Sequence, residues 1–514
     1  MYLYTVIMTA LEIEIKELRH ENEGLKQTIQ SLRRELANMK KVIFGAKRER
    51  FTPTPDGYQG TLFEGIEEET KENDQATEEV VEVIVRKKKK RARKKPQRNT
   101  FPEHLPREET IIEPEGIDEE KMVKIGEDIT ETLAYVPAKF YVKKIIRPRY
   151  ALKDQEDQGV KQAPIPPRLI PRGMADESLI AYLVVEKILF HTPIYRFNKK
   201  LKQAGIRCVK ENNLRNWFNT AGHSLRPLCE LLKEEILSSG YVQADESTIK
   251  VLVKDKPGSA HRGYMWLLNQ PQTKLTSFNY HPSRGIEAAK ELIAGYKNIL
   301  QTDGYKVYEK LARELKFLLI FCMAHARRKF FEARDTDPPT AEYFLSRVQK
   351  LYQIERRARD EGMNEEQRMA LRKSEAVPIL EELHVWLKDL ILQQKHLPNS
   401  PMGKAIAYSY KRWKGLSAYA QTGNIEIDNN LIENKVRPLA LGRKNYLFAG
   451  SHEYAVNLAC LYSIVGTANN YGLNVQRYMT WLFRKVATSK INKEAISWLP
   501  HKMPQELLST FIDQ

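Results

Sequence analysis

The sequence Y-V-Q-A-D-E-S-T-I-K-V-L-V, residues 241–253, begins the part of the chain that decides the fold. Apolar and polar residues alternate along it, as they do in a half-buried strand. Residues 263–269 and 274–281 repeat this pattern after turns that contain glycine, proline and polar residues. These three stretches therefore predict three consecutive strands.

The hydrophobic period changes after these strands. We predict a helix over 285–296, a strand over 298–302, a second helix, a strand in the apolar run L-K-F-L-L-I-F-C-M, and a helix over 324–333. Three antiparallel strands followed by β-α-β-α is the order of a ribonuclease-H-like core. Residues 335–423 are helical in pattern and rich in charge, so we expect them to be an insertion in that core.

Acidic residues lie at matching places in this pattern. Asp245 lies on the predicted first strand, and Asp303 follows the predicted fourth strand. If those strands are neighbours in the sheet, their two carboxylates lie side by side, and Glu433 can reach them from a helix packed on the sheet. Asp428, in the same acidic turn, is the alternative third residue. Glu246 is expected to point to the opposite face of the strand, which makes it a poor ligand.

Three clustered carboxylates repel one another, so such a site needs cations. Hard oxygen ligands suit Mg²⁺ or Mn²⁺, and two such ions support phosphodiester chemistry. We expect Asp245 to bridge both ions, with Asp303 binding one and Glu433 the other. Any one of these residues alone is more often a turn or cap residue, so the prediction depends on all three together.

The charge of the chain indicates a polyanionic partner. Its formal net charge is +17 and its pI is about 9.3, which favours DNA over an anionic membrane, because no apolar run reaches the roughly 18 residues that span a bilayer. A basic protein without such a partner is the alternative. The residues predicted to contact DNA are His325, Arg327, Arg328, Lys329, Lys435, Arg437, Arg443, Lys444, Lys88, Lys89 and Arg91.

The cysteines and the start of the chain bear on its compartment. Four cysteines are scattered without a C-x-x-C pair, which argues against a disulfide framework and a cysteine zinc site and fits a reducing cytosol. The first residues lack the basic segment of a signal peptide. We therefore expect a cytoplasmic protein.

The length of 514 residues and the helix and strand patterns along the chain predict a multidomain α+β protein. Residues 10–44 carry apolar heptads over more than four repeats, which predicts a coiled coil and a homo-oligomer; a single helix packed on its own chain is the alternative. The predicted domains are a coiled coil with a basic end (1–51), an acidic then basic linker (52–100), a small β module (101–172), a helical region, either helix-turn-helix-like or a plain bundle (173–236), the first part of the core (237–334), the helical insertion (335–423), the second part of the core (424–487) and a C-terminal tail (488–514).

Several stretches resemble the transposases of the insertion sequence 66 family. They are Q-A-D-E-S, L-Q-T-D-G-Y, A-H-A-R-R-K-F-F and I-D-N-N-L-I-E-N-K-V-R-P-L-A-L-G-R-K-N-Y-L-F-A-G-S. The resemblance implies a DDE transposase with Asp245, Asp303 and Glu433 as its triad, and metal-dependent strand cleavage and strand transfer. It also implies element ends with inverted repeats, target DNA, accessory proteins encoded by the same element, and a bacterial, nucleoid-associated location.

One departure from the family concerns zinc. Family members usually carry a cysteine zinc-binding module, but residues 101–170 contain no cysteine, so we expect no zinc there. Two other interpretations stay open: a catalytically inactive, transposase-derived DNA-binding repressor, and a ribonuclease-H-like nuclease without strand transfer.

Overall fold

The computed structural model describes residues 140–146, 149–150, 161–162, 164–171, 173–253 and 259–512. The predicted coiled coil, the linker with Lys88, Lys89 and Arg91, and most of the predicted β module lie outside these residues. The described residues fall into two compact units, which meet in sequence between Pro164 and Ile165.

In the first unit, strand β1 (Arg149–Tyr150) pairs antiparallel with strand β2 (Lys161–Gln162). The stretch E-T-L-A-Y-V-P-A-K-F-Y-V-K-K-I-I-R-P-R-Y, residues 131–150, alternates apolar and polar residues and so predicts strands in the β module. Residues 140–146 of this stretch have no regular secondary structure and are exposed. That part of the strand prediction is wrong. Alternation marks a strand only where a neighbouring strand and a core cover one of its faces, and residues 140–146 are not covered in this way.

The second unit begins with four helices, in the region where the sequence predicts helical structure. They are α1 (Glu177–Ile188), α2 (Ile194–Gln203), α3 (Glu211–Ser224) and α4 (Arg226–Leu237). Asp176 caps the first of them, since its side chain accepts a hydrogen bond from the backbone N–H of Ser178.

A five-stranded mixed sheet follows. Its strands are β3 (Tyr241–Leu252), β4 (Ala260–Gln270), β5 (Leu275–His281), β6 (Ile299–Thr302) and β7 (Leu318–Phe321), in the spatial order β5-β4-β3-β6-β7. The first three are antiparallel, whereas β6 is parallel to β3 and β7 is parallel to β6. Helices α5 (Ile286–Leu292), α6 (Lys306–Leu315) and α7 (Met323–Ala333) alternate with the last strands. All these elements are predicted by the sequence.

Residues 338–421 form a helical segment that packs around a second hydrophobic core. Its elements are α8 (Pro338–Asp360), α9 (Glu365–Leu371), a π-helical turn (Arg372–Ala376), α10 (Val377–Leu392), α11 (Pro401–Lys411), α12 (Trp413–Ser417) and a 3₁₀ turn (Ala418–Gln421). The core joins this segment to α7, where Phe330 stacks on Phe344 with ring centres 3.9 Å apart.

The chain then returns to the sheet. The remaining elements are α13 (Asn430–Tyr446), α14 (His452–Asn470), α15 (Val475–Thr488), a 3₁₀ turn (Lys493–Trp498) and α16 (Gln505–Ser509). Helix α14 covers the edge strand β5. Ser463 Oγ of α14 accepts a hydrogen bond from the backbone N–H of Phe278 in β5 at 2.7 Å. No helix among the described residues is long and apolar enough to cross a membrane.

A disulfide links α4 to α14 through Cys229 and Cys460, whose Cα atoms are 5.8 Å apart. The sequence argument against disulfides is wrong for this pair. The two cysteines are 231 residues apart, so spacing along the chain gives no sign that the fold brings them together. Cys208 and Cys322 are free thiols.

Candidate active site

The parallel pairing of β3 and β6 sets Asp245 beside Asp303. Gln243 is the register partner of Gln301, and each aspartate lies two residues further along its strand direction, so both belong to the same sheet face. The N–H of Tyr305 donates to Asp303 Oδ1 at 2.8 Å, which fixes this carboxylate directly after the strand. The sequence-predicted pair is therefore brought together.

Glu246 belongs to the opposite face, as predicted. It lies across from Trp266 in the ladder, whereas Asp245 lies across from Leu267. Its side chain is 3% exposed and pairs with Arg284, whose Nε donates at 2.9 Å. The Arg284 guanidinium balances the charge of this carboxylate at Oε1, while Oε2 is buried and accepts no hydrogen bond from the described residues.

Glu433 lies in the first turn of α13, and α13 packs on β3 and β4. Its side chain is 22% exposed, and Oε1 lies 3.8 Å from Nδ1 of His325. This oxygen is buried and accepts no hydrogen bond from the residues that the structure describes. A buried carboxylate oxygen without a donor is a good position for a cation.

A cluster of buried amides holds the segment before α13 against the sheet. Gln243 Nε2 donates to the carbonyl of Asp428 at 3.1 Å, and Gln301 Nε2 donates to the carbonyl of Glu426 at 2.8 Å. The two glutamines also bond each other at 2.9 Å, and Tyr241 donates its hydroxyl to Gln301 at 2.5 Å. These bonds connect the strands that carry the aspartates with the turn that leads to Glu433.

The carboxylates interact electrostatically. Burial, and then the negative charges of Glu246, Asp303 and Glu433, hold the pKa of Asp245 well above its ordinary value. Burial also raises the pKa of Glu433, which is lowered in part by Arg328 and raised again by Asp428 and Asp303. Negative charges that raise one another's pKa in this way favour a divalent cation between them, and carboxylate oxygens are the ligands that Mg²⁺ and Mn²⁺ prefer.

Asp428 is less suited to be the third ligand, because both of its oxygens have donors. Oδ1 accepts from the backbone N–H of Asn430 at 3.0 Å, and Oδ2 accepts from the Tyr352 hydroxyl and the Asn430 amide, both at 2.8 Å. Burial raises the pKa of Asp428, and the Asn430 and Tyr352 bonds lower it. This geometry favours Glu433.

Sequence reasoning missed a buried charge network that connects the helical segment to the acidic turn. Arg372 is fully buried; it bonds both oxygens of Glu355 at 2.7 Å and donates to the Ile425 carbonyl at 2.8 Å. Arg368 bonds Glu355 and, through two nitrogens, Glu426 at 3.0 and 2.9 Å. Charged residues are common in surface helices, so no sequence signal distinguishes this network.

The predicted DNA-contacting cations fall into different environments. Lys435 donates to the side chain of Asn470, and burial lowers its pKa, while Arg443 donates to Ser247 Oγ at 2.9 Å and so fastens α13 to β3. Arg328 and Arg437 act electrostatically on Glu433. The others described are His325 beside Glu433, Arg327 over the Phe331 ring, Lys329 over the Tyr408 ring and the exposed Lys444.

A basic cleft with aromatic walls was not singled out from the sequence. Phe190 and Tyr195 are 66% and 53% exposed, and together with Arg196 and Lys199 of α2 they line a cavity of about 470 Å³. Exposed rings among cations are typical of surfaces that bind nucleic acid. The stretch P-I-Y-R-F-N-K-K-L-K contained a signal for this cleft, because it places several cations and an aromatic residue on one helix.

Three family models match the chain. The model described as Transposase IS66 family matches residues 172–457, and the one described as Transposase C of IS166 homeodomain matches residues 31–110. The zinc-finger binding domain of transposase IS66 matches residues 117–151. That last stretch has no cysteine and lies largely outside the described residues, so the expectation of no zinc there is neither supported nor opposed by the structure.

Relatives in Sinorhizobium fredii match almost the whole chain. Uncharacterized protein y4jD is 32% identical over 502 residues, which cover 92% of this chain and 95% of that protein. Uncharacterized protein y4hP is 28% identical, with 92% and 88% covered, and uncharacterized protein y4qI is 28% identical, with 93% and 90% covered. No solved structure matches the chain.

Proposed function

The chain belongs to the IS66 transposase family, and from this premise we propose that it cuts DNA at the ends of an insertion sequence and joins those ends to target DNA. The proposal is supported by the place of Asp245 and Asp303 on one face of the sheet and by the electrostatic coupling of Glu433 to both of them. The strand order and directions support a ribonuclease-H-like core.

Divalent ions held by the three carboxylates would supply Lewis acidity at the scissile phosphate. Burial and the charges of Glu246, Asp303 and Glu433 raise the pKa of Asp245, and Asp245 would hold the ions together with Asp303 and Glu433, as the shared ligand. In the first step a water oxygen attacks phosphorus and the bond to the 3′ oxygen breaks, leaving a 3′-hydroxyl and a 5′-phosphate. In the second step that hydroxyl attacks a target phosphodiester and displaces the target strand's own 3′ oxygen.

The cations around the site would hold the DNA backbone. Arg328 and Arg437 lie close enough to Glu433 to lower its pKa, so they would be within reach of a phosphate bound beside the three carboxylates. The cleft of α2, with its exposed rings and cations, is a second surface for DNA. The leucine-zipper-like region of the family match, residues 31–110, overlaps the predicted coiled coil, and we propose that it brings copies of the chain together.

The test uses the purified full chain, labelled DNA from either side of its coding sequence, and Mg²⁺. Joined products are expected for a transposase. Nicks without joining would replace this proposal with a nuclease, and binding without chemistry would replace it with a repressor.

The matched variants are Asp245→Ala, expected to abolish chemistry while DNA affinity stays nearly unchanged, and Asp360→Ala, an exposed acid at the end of α8 that should leave chemistry unchanged. Cleavage by Asp245→Ala at the wild-type rate would overturn the site assignment.

A further inference from the structure

Donors of a different chemistry meet beside the carboxylates. Cys322 Sγ, one ring nitrogen of His325 and a carboxylate oxygen of Glu433 all lie within 4.8 Å of one another, and Nδ1 of His325 lies 3.8 Å from Oε1 of Glu433. Tetrahedral zinc has bonds of about 2.3 Å to sulfur and about 2.0 Å to nitrogen or oxygen, which puts ligand atoms roughly 3.5 Å apart. Shifts of about 1 Å would bring the three donors to this geometry.

The backbone sets this arrangement. Cys322 is the residue before α7, and His325 lies in the first turn of that helix. The N–H of Asn429 donates to Cys322 Sγ at 3.2 Å, and the N–H of Met323 donates to the Ile427 carbonyl at 3.1 Å. These bonds hold the start of α13 against the start of α7, so a residue in the first turn of α13 faces the thiol.

The two donor sets select different ions and share one residue. Thiolate and imidazole favour Zn²⁺ over Mg²⁺, whereas an all-carboxylate set favours Mg²⁺. We propose that Cys322, His325 and Glu433 bind a soft divalent cation such as Zn²⁺, with water as a fourth ligand, and that this ion withdraws Glu433 from Asp245 and Asp303. Only the inhibition that follows rests on the proposed function; binding of the ion does not.

The first experiment measures binding without DNA. The parent is Cys208→Ser, which removes the exposed free thiol, kept without reductant so that the Cys229–Cys460 pair stays closed. Titration with Co²⁺ is expected to give a thiolate-to-cobalt charge-transfer band at one equivalent. The band should vanish when Cys322→Ser is added, and the affinity should fall at least about tenfold with Glu433→Gln. An unchanged band in the Cys322→Ser protein, or no band in the parent, overturns the site.

The second experiment measures inhibition of DNA cleavage at fixed Mg²⁺. Zn²⁺ should inhibit the parent, and Cys322→Ser should raise the inhibitory concentration at least about tenfold, with the inhibition of each protein expressed relative to its own rate with Mg²⁺ alone. Equal inhibition of both proteins would overturn the regulatory part. Should the serine variant fail to fold, Cys322→Ala takes its place in both experiments. A protein that binds Co²⁺ through Cys322 but never cleaves DNA would refute the proposed function and leave the soft-metal site standing.

Discussion

The two strand-borne aspartates and the helix-borne glutamate reach the candidate site in different ways. The backbone ladder between β3 and β6 places Asp245 and Asp303, whereas Glu433 depends on side chains that hold the turn before α13. A ladder tolerates side-chain changes, but a network of buried polar groups does not. Substitutions far from the carboxylates should therefore disturb the third acid more than the first two.

The largest expected effect is on folding stability, through Arg372. Arg372→Met leaves Glu355 buried with its Oε1 deprived of its guanidinium, and we expect the free energy of unfolding to fall by about 3–5 kcal/mol. Urea unfolding measures it. The control Arg357→Met breaks an exposed pair with Glu375 and should cost at most about 1 kcal/mol. Equal losses of unfolding free energy in the two variants would show that the buried network does not hold the turn.

Next in size is the loss of chemistry that distinguishes Glu433 from Asp428. Glu433→Gln should reduce the cleavage rate at least about a hundredfold with little loss of stability, because its Oε1 accepts no hydrogen bond from the described residues. Asp428→Asn should mainly destabilise the fold, since it weakens bonds from Tyr352 and Asn430. Cleavage assays and thermal unfolding of both variants decide the matter; the reverse outcome would make Asp428 the third ligand.

A smaller effect is expected from the amide cluster. Gln301→Ala removes the hydrogen bond to the Glu426 carbonyl and leaves buried partners unsatisfied, which should cost about 1–3 kcal/mol and lower the cleavage rate as well. Gln272→Ala is the control, because Gln272 bonds the same turn at the Asn424 carbonyl from an exposed position and should cost about 0.5 kcal/mol or less. A cleavage rate unaffected by Gln301→Ala would separate the cluster from the site.

The smallest effect is a pH-dependent gain in stability. Burial and neighbouring carboxylates raise the pKa of Asp245, so the native state binds more protons than the unfolded state, and stability is lost as pH rises above the ordinary carboxyl range. In metal-free buffer Asp245→Asn should therefore be more stable than wild type by an amount of order 1 kcal/mol at about pH 8, and the gain should shrink towards about pH 4. Denaturation at several pH values tests this, and a gain that grows on acidification would contradict it.

The sequence predicts the strand-borne residues of the candidate site better than the residue on α13. Alternation in β3 and the strand–turn boundary at Asp303–Gly304 predict that part of the fold, because a strand's pattern is local. The choice between Glu433 and Asp428 is not local, since it depends on Tyr352, which comes from the helical segment. The Cys229–Cys460 pair was missed for the same reason.

The docking of the acidic turn onto β3 and β6 also orders events during synthesis of the chain. The ribosome synthesises both strands that carry the aspartates, and the cations of α2, before it reaches Asn430 at the start of α13. On the proposed function, a nascent or prematurely terminated chain can hold DNA but has no third acid. On that proposal, synthesis beyond Glu433 would be a condition for cutting, and shorter fragments would compete for the DNA that the finished protein needs.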